Sequence, residues 1–139
     1  ITSNAGWVTL QHQSFLQEVI GEFQQNGIRT SVFIGTDLQL IEAAAKTGTD
    51  RIELYTEDFA TQYERGNKAA IKPYTEAAIL AHSLGLGINA GHDLSLENIQ
   101  FFKENIPYLA EVSIGHALIA ESLYLGLENV VNMYLHRLQ

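Results

Sequence analysis

Cysteine is absent from the 139 residues, so disulfides and thiolate metal sites are excluded and no compartment follows from redox chemistry. Basic residues are scarce: 8 Lys and Arg stand against 16 Asp and Glu, a net charge of −8. That balance argues against non-specific nucleic-acid binding, which needs a basic footprint to displace counterions. It leaves room for a small anionic substrate, because helix N-termini and backbone N–H groups bind phosphate locally. No apolar run approaches a membrane span and no signal peptide is visible, so we expect a soluble, cytoplasmic protein with no membrane partner. No pair of histidines has the spacing of a metal site such as H-E-x-x-H, and neither G-x-S-x-G nor a P-loop occurs. An initiator methionine is missing too. The opening Ile1-Thr2-Ser3-Asn4-Ala5-Gly6 reads as the middle of a loop, so we expect a piece of a longer protein, with a trimmed chain as the other reading.

What is present is globular: 46% hydrophobic and 17% charged residues, in a length that buries one core. Leu16, Val19, Ile20 and Phe23 recur at helical spacing, with Gly27 at the expected C′ position. Residues 29–34 and 51–55 are short and rich in β-branched or alternating residues and predict strands. Between them Thr36-Asp37-Leu38-Gln39 resembles a capping box opening a helix through Leu40, Ile41, Ala44 and Ala45, which Gly48 closes. The segment from Thr56 to Asn67 is polar and reads as an irregular, functional loop. A helix then runs from about Lys68 to Leu84, where Pro73 predicts a kink or a late start. Residues 86–90 predict a third strand, Ser95 caps a short helix through Ile99 and Phe102, and residues 111–114 predict a fourth strand. Ala117 to Leu123 predicts a short extra helix set apart by Gly126. Leu127, Val130, Val131, Tyr134, Leu135 and Leu138 form an apolar stripe on the last helix. Alternating strands and helices imply a parallel α/β sheet, either a small doubly wound sheet or half of a (β/α)₈ barrel. A four-strand half-barrel leaves two open edges.

In parallel α/β folds ligands collect at the C-terminal ends of the strands. The second strand carries Glu53 and ends at Tyr55-Thr56-Glu57, the third ends in Asn89-Ala90-Gly91-His92-Asp93, and the fourth in Ser113-Ile114-Gly115-His116. His92 is the candidate for proton transfer, since imidazole ordinarily changes charge near neutral pH; a turn histidine bonded to backbone is the alternative. Gly115-His116, between strand and helix, suits either a structural turn or a phosphate site on free helix N–H groups. Glu53 shares a strand face with Arg51 and Tyr55, a polar face that fits a barrel interior. His82 and His136 fall within helices as solvated or boundary residues, and His12 precedes one.

Thr30-Ser31-Val32-Phe33-Ile34, Arg51-Ile52-Glu53-Leu54-Tyr55-Thr56, Leu84 to Leu94 and Glu111 to Ile119 resemble, in order, successive motifs of the pyridoxine 5′-phosphate synthase (PdxJ) family. The resemblance implies a (β/α)₈ TIM barrel of which residues 1–139 supply the C-terminal part, about the last four βα units plus the extra short helix. It implies condensation of 1-deoxy-D-xylulose 5-phosphate with 3-amino-2-oxopropyl phosphate to pyridoxine 5′-phosphate, phosphate and water, with no metal or organic cofactor, in a homo-oligomer. By position, His92 resembles the family's proton donor and Glu53 its transition-state-stabilising carboxylate. Asp93, Gly115 and His116 match positions that hold the aminoketone phosphate, and Thr2 one that contacts the deoxyxylulose phosphate. Asp93 is often glycine in relatives, which suggests contact through its backbone. Gly35 departs from the family, which usually has aspartate there. A non-catalytic phosphate-binding α/β module and a different phosphate-binding barrel enzyme are the other readings. In the half-barrel reading, the 139 residues alone are expected to be inactive and to aggregate or self-pair.

Overall fold

The computed structural model describes residues 5–139. In chain order the elements are α1 (Thr9–Gln25), β1 (Ser31–Ile34), α2 (Leu38–Ala45), β2 (Arg51–Tyr55), α3 (Glu57–Glu64), α4 (Lys72–Ser83), β3 (Gly87–Gly91), α5 (Ile99–Asn105), β4 (Leu109–Ser113), α6 (His116–Leu125) and α7 (Leu127–Arg137). The strands pair in parallel in the order β1-β2-β3-β4. That order has no reversal, so it lacks the switch point of a doubly wound sheet.

Alternation sorts the strand side chains onto two faces. Ile34, Ile52, Leu54, Ile88 and Ala90 turn one face to Ile41 and Ala44 of α2 and to Ala77, Ala78 and Ala81 of α4, forming the main core. The small residues of α2 and α4 let these helices lie close to the sheet. The opposite face is polar: register aligns Phe33, Glu53, Asn89 and Glu111 in one row across it. Arg29, just before β1, reaches Glu111 on β4 with two N···O contacts of 2.9 Å. Strands at a spacing of about 4.8 Å would lie roughly 14 Å apart across three intervals of a flat sheet. A bidentate pair over that span is explained by a sheet that curls, with this polar face concave. Arg51 joins the network, with Nη1 2.9 Å from Asn89 Oδ1 and 3.4 Å from Glu111 Oε1. Hydrogen bonds from Arg29, with the charges of Arg29 and Arg51, hold the Glu111 carboxyl below its ordinary range.

Several sequence expectations need correction. The span from Thr56 to Asn67 is not an irregular loop but contains α3, which a 3-10 turn over Lys68–Ile71 joins to α4. Phe59 and Tyr63 stand one helical turn apart and pack on Phe101, and Phe59 also meets Tyr74 and Phe102, so Phe59 is fully buried. That aromatic stripe, in a polar background, overrides the loop-like composition. Pro73 stands at the start of α4, so the helix starts late rather than kinking. The cap of α2 is Asp37, not Thr36: its carboxylate accepts from the backbone N–H of Gln39 and Leu40. Ser95 does cap the turn leading into α5, one turn ahead of the helix proper: its Oγ accepts from the Glu97 N–H at 3.3 Å, its N–H donates to Asn98 Oδ1, and Asn98 directly precedes the helix. His12 lies inside α1, at a kink, with its ring edge-on to Trp7, rather than before the helix. Of the stripe on α7, Val130 and Tyr134 are buried, whereas Leu127, Val131 and Leu135 face outward. Among the described residues no helix is long and apolar enough to cross a membrane.

Tyr74 gives the fold a pH signature. Its side chain is buried in the aromatic cluster and its oxygen accepts from the Phe59 N–H at 3.3 Å. Burial pushes the hydroxyl up to about 12, from an ordinary value of 10.0. The folded state therefore holds the Tyr74 proton at pH values where the unfolded chain has released it. The corresponding stability is complete below pH 10.0 and is lost as pH rises toward 12, an effect of about 2–3 kcal/mol. Urea midpoints at pH 9 and near 12 are expected to fall less steeply for Tyr74→Phe than for the parent; equal slopes would remove Tyr74 as the source.

Candidate functional site

The chemistry-bearing residues gather at the C-terminal ends of β2, β3 and β4, which register aligns through Tyr55, Gly91 and Ser113. Thr56, immediately after β2, staples the end of β3. Its N–H and Oγ1 lie 3.1 and 2.8 Å from the Gly91 carbonyl, and the hydroxyl also reaches the His92 carbonyl. The chain then turns through two left-handed residues, His92 at φ 87° and Asp93 at φ 57°. Such φ values are uncommon without glycine and persist where surrounding contacts impose them. Here the bracing is visible: Asn98 Nδ2 donates to the Asp93 carbonyl at 3.2 Å and Ser95 N–H to Asn98 Oδ1 at 2.9 Å.

This turn aims the His92 ring at the aromatic edge of β2. The imidazole packs edge-to-face on Tyr55 at 5.0 Å between centroids, and Tyr55 in turn packs on Phe33 at 5.2 Å. The Tyr55 hydroxyl, pushed up by burial and then by the Glu57 carboxylate, donates to Glu57 Oε2 at 3.3 Å. His92 Nδ1 is buried 3.1 Å from Asp93 Oδ2. The contact is close but poorly directed for a hydrogen bond, so we read it as electrostatic pairing available to a charged ring. The side chain as a whole stays 29% exposed, enough to meet a ligand.

Glu53 lies on the concave face, half-buried, and among the described residues no cation pairs with it. Burial raises its pKa above 4.5, opposed by a hydrogen bond from Ser113. Gly91 on the neighbouring strand makes room for it. A Cβ on Gly91 would run into Glu53 Oε1 and stand 3.0 Å from the Ser113 Cβ. A desolvated, unpaired carboxylate of this kind stabilises positive charge developing close to it.

Gly115 caps α6 from an exposed position, at φ −105° and ψ −98°, outside the main regions open to residues with a Cβ. Nothing lies within 4 Å of where its Cβ would be, and the first turn of α6 carries no acid. The leading N–H groups of α6, starting at His116, are therefore open to an anion. By contrast α3 carries Glu57 and Asp58 in its first turn, which repel one. A cleft of about 330 Å³ between α3 and the β3–α5 loop takes in Asp93 but not His92, Glu53 or Gly115. Its lining includes Glu64 and Glu97 as well as Asp93, acids that repel an anion.

Glu53, His92, Asp93, Gly115 and His116 are thus brought to one end of the sheet, while Thr2 lies outside the described residues. Gly35 has open space around it and no positive φ, so the backbone does not demand glycine there. His82 stacks on Tyr108 at the surface and takes no part. Sequence reasoning missed Thr56 as the staple and Ser113 as the partner of Glu53. Both sit at strand ends, but only inter-strand register shows what they touch.

The profile described as pyridoxal phosphate biosynthesis protein PdxJ matches residues 1–139. The chain is 70% identical over 139 residues to a pyridoxine 5′-phosphate synthase of Flavobacterium johnsoniae, covering all of this chain and 59% of that protein. It is 63% identical to the synthase of Christiangramia forsetii, again over the whole chain and 59% of the relative. Identity to the synthase of Cytophaga hutchinsonii is 59%, over the whole chain and 58% of the relative. The chain therefore spans somewhat under two thirds of the length of these relatives. A full-length profile match agrees with motifs that the fold carries to the ends of three neighbouring strands, and the chain belongs to the PdxJ family of pyridoxal phosphate biosynthesis proteins.

Proposed function

We propose that these residues form the C-terminal part of a pyridoxine 5′-phosphate synthase, a (β/α)₈ barrel that condenses 1-deoxy-D-xylulose 5-phosphate with 3-amino-2-oxopropyl phosphate. The observation that carries the reading is the placement of Glu53 on β2, with its carboxylate beside Gly91, next to His92 and Gly115–His116 just past the C-terminal ends of the neighbouring parallel strands. The uninterrupted strand order, the ion pair across the concave face and an apolar groove of about 480 Å³ along β1 and α1 support the barrel. Further strands would pair at the open edges of β1 and β4. Condensation of an amine with a ketone places positive charge on nitrogen, which Glu53 would stabilise. Loss of water and ring closure need a proton delivered at a fixed place, the role of His92. Gly115 and His116 would present N–H groups to the aminoketone phosphate, with Asp93 contributing backbone. The Thr2 contact to the other phosphate belongs to the same reading.

The test is synthesis from both substrates by a full-length synthase carrying this sequence, beside its Gly115→Val variant. The parent is expected to form pyridoxine 5′-phosphate. Valine adds a β-branched side chain in front of the α6 N–H groups, in a backbone conformation it disfavours. It is expected to raise KM for the aminoketone phosphate by roughly tenfold or more, with the other KM nearly unchanged. Residues 1–139 alone are expected to form no product. No synthesis by the full-length parent sinks the reading; an unchanged KM in the variant removes Gly115 from it.

A further inference from the structure

We propose that Glu121 is a positioning residue that clasps α6 to the loop carrying His92, setting the separation between the His92–Asp93 turn and the Gly115–His116 helix start. The inference rests on the synthase reading, in which both of these segments hold the aminoketone phosphate. Helix α6 needs such a tie, because it buries none of its residues fully and exposes Ile119, Leu123 and Tyr124, the last at 89%. Leu118 packs at the edge of the small cluster of Leu96, Ile99, Val130 and Tyr134, which is little apolar contact for a ten-residue helix.

Glu121 is the acidic residue of α6 and points inward, not to solvent. Its Oε1 lies 3.5 Å from the Leu96 N–H, a long hydrogen bond to the loop four residues beyond His92. Its Oε2 is buried, as is the Tyr134 hydroxyl of α7, and neither makes a well-directed bond. Burial, and after it Glu121, lifts the Tyr134 hydroxyl above the ordinary tyrosine range. A carboxylate buried among apolar residues is costly unless its partners need it. Here those partners come from the β3–α5 loop and from α7, so one side chain ties three segments. Loss of the tie leaves α6 held mainly by its junction with α7, and the phosphate-facing helix start free to drift from His92. A displacement of about 1 Å at such a site is enough to weaken substrate placement strongly.

The experiment uses a full-length synthase carrying these residues, with Glu121→Ala and Glu121→Gln variants. Glutamine keeps an oxygen for the Leu96 N–H and the Tyr134 hydroxyl; alanine does not. Glu121→Ala is expected to raise KM for 3-amino-2-oxopropyl phosphate by about tenfold while KM for 1-deoxy-D-xylulose 5-phosphate stays within about twofold. Glu121→Gln is expected to restore both to within about twofold of the parent. Amide hydrogen exchange in residues 92–98 and 115–121 is expected to quicken together in the alanine variant and not in the glutamine variant. If the alanine variant does not fold, Tyr134→Phe removes the donor without opening a cavity, and the same split is expected at about threefold. Equal rises in both KM values, faster exchange confined to α6, or glutamine behaving as alanine would overturn the clasp. A parent enzyme that forms no product would sink the synthase reading instead, and the exchange comparison would still decide whether Glu121 couples the two segments.

Discussion

In a full-length synthase carrying this sequence, His92→Asn lowers kcat by roughly two orders of magnitude or more while both KM values stay within about threefold. The choice of asparagine follows from the backbone. His92 sits at φ 87°, a conformation that most residues with a Cβ resist and that asparagine accepts more readily than most. The variant therefore keeps the turn, the Thr56 staple and the Asp93 backbone in place, and what it removes is the ionisable ring packed on Tyr55. His92→Ala would mix lost chemistry with backbone strain. Steady-state kinetics with circular dichroism as a fold check makes the measurement, and near-parental turnover in a folded His92→Asn protein takes His92 out of the mechanism.

Glu53→Gln is expected to lower kcat by about 100-fold and to leave the protein at least as stable as the parent at pH 7. Glutamine preserves the shape that Gly91 makes room for and removes only the charge, so the loss of rate measures stabilisation of the cationic intermediate. Burial raises the Glu53 pKa, so the folded state binds the Glu53 proton more tightly than the unfolded chain. That contribution is full below the ordinary glutamate value and is lost as pH climbs through the raised one, leaving the ionised form a net cost near neutrality. A neutral isostere escapes that cost. The acid limb of the parent kcat profile is expected above the ordinary carboxylate range and absent in the variant. A variant both slower and less stable would place Glu53 in the structural network with Arg29 and Glu111 instead.

Much of the fold was legible because its signals are local. The stripe ending at Gly27, the short β-branched runs and the glycines after helices each predict an element from a few neighbouring residues. α3 was missed for an equally physical reason. Its polar residues outnumber Phe59 and Tyr63, and those two count as a core stripe only once Tyr74, Phe101 and Phe102 arrive from α4 and α5. The stripe on α7 erred the other way, since Leu127, Val131 and Leu135 have the periodicity of a buried face and no neighbour among the described residues to bury them.

The sequence by itself determined which residue types stand on and just after the strands, and thus which family the chain joins: Glu53 within the second strand, and His92-Asp93 and Gly115-His116 after the third and fourth, are read directly from it. Tertiary structure alone decided what those residues experience. The strand order without a reversal, the pairing of Arg29 with Glu111 across four strands, the place of Glu53 beside Gly91, and the reach of Glu121 to the Leu96 N–H depend on segments distant in the chain. Desolvation and register are properties of neighbours in space, and a sequence orders neighbours only along the chain.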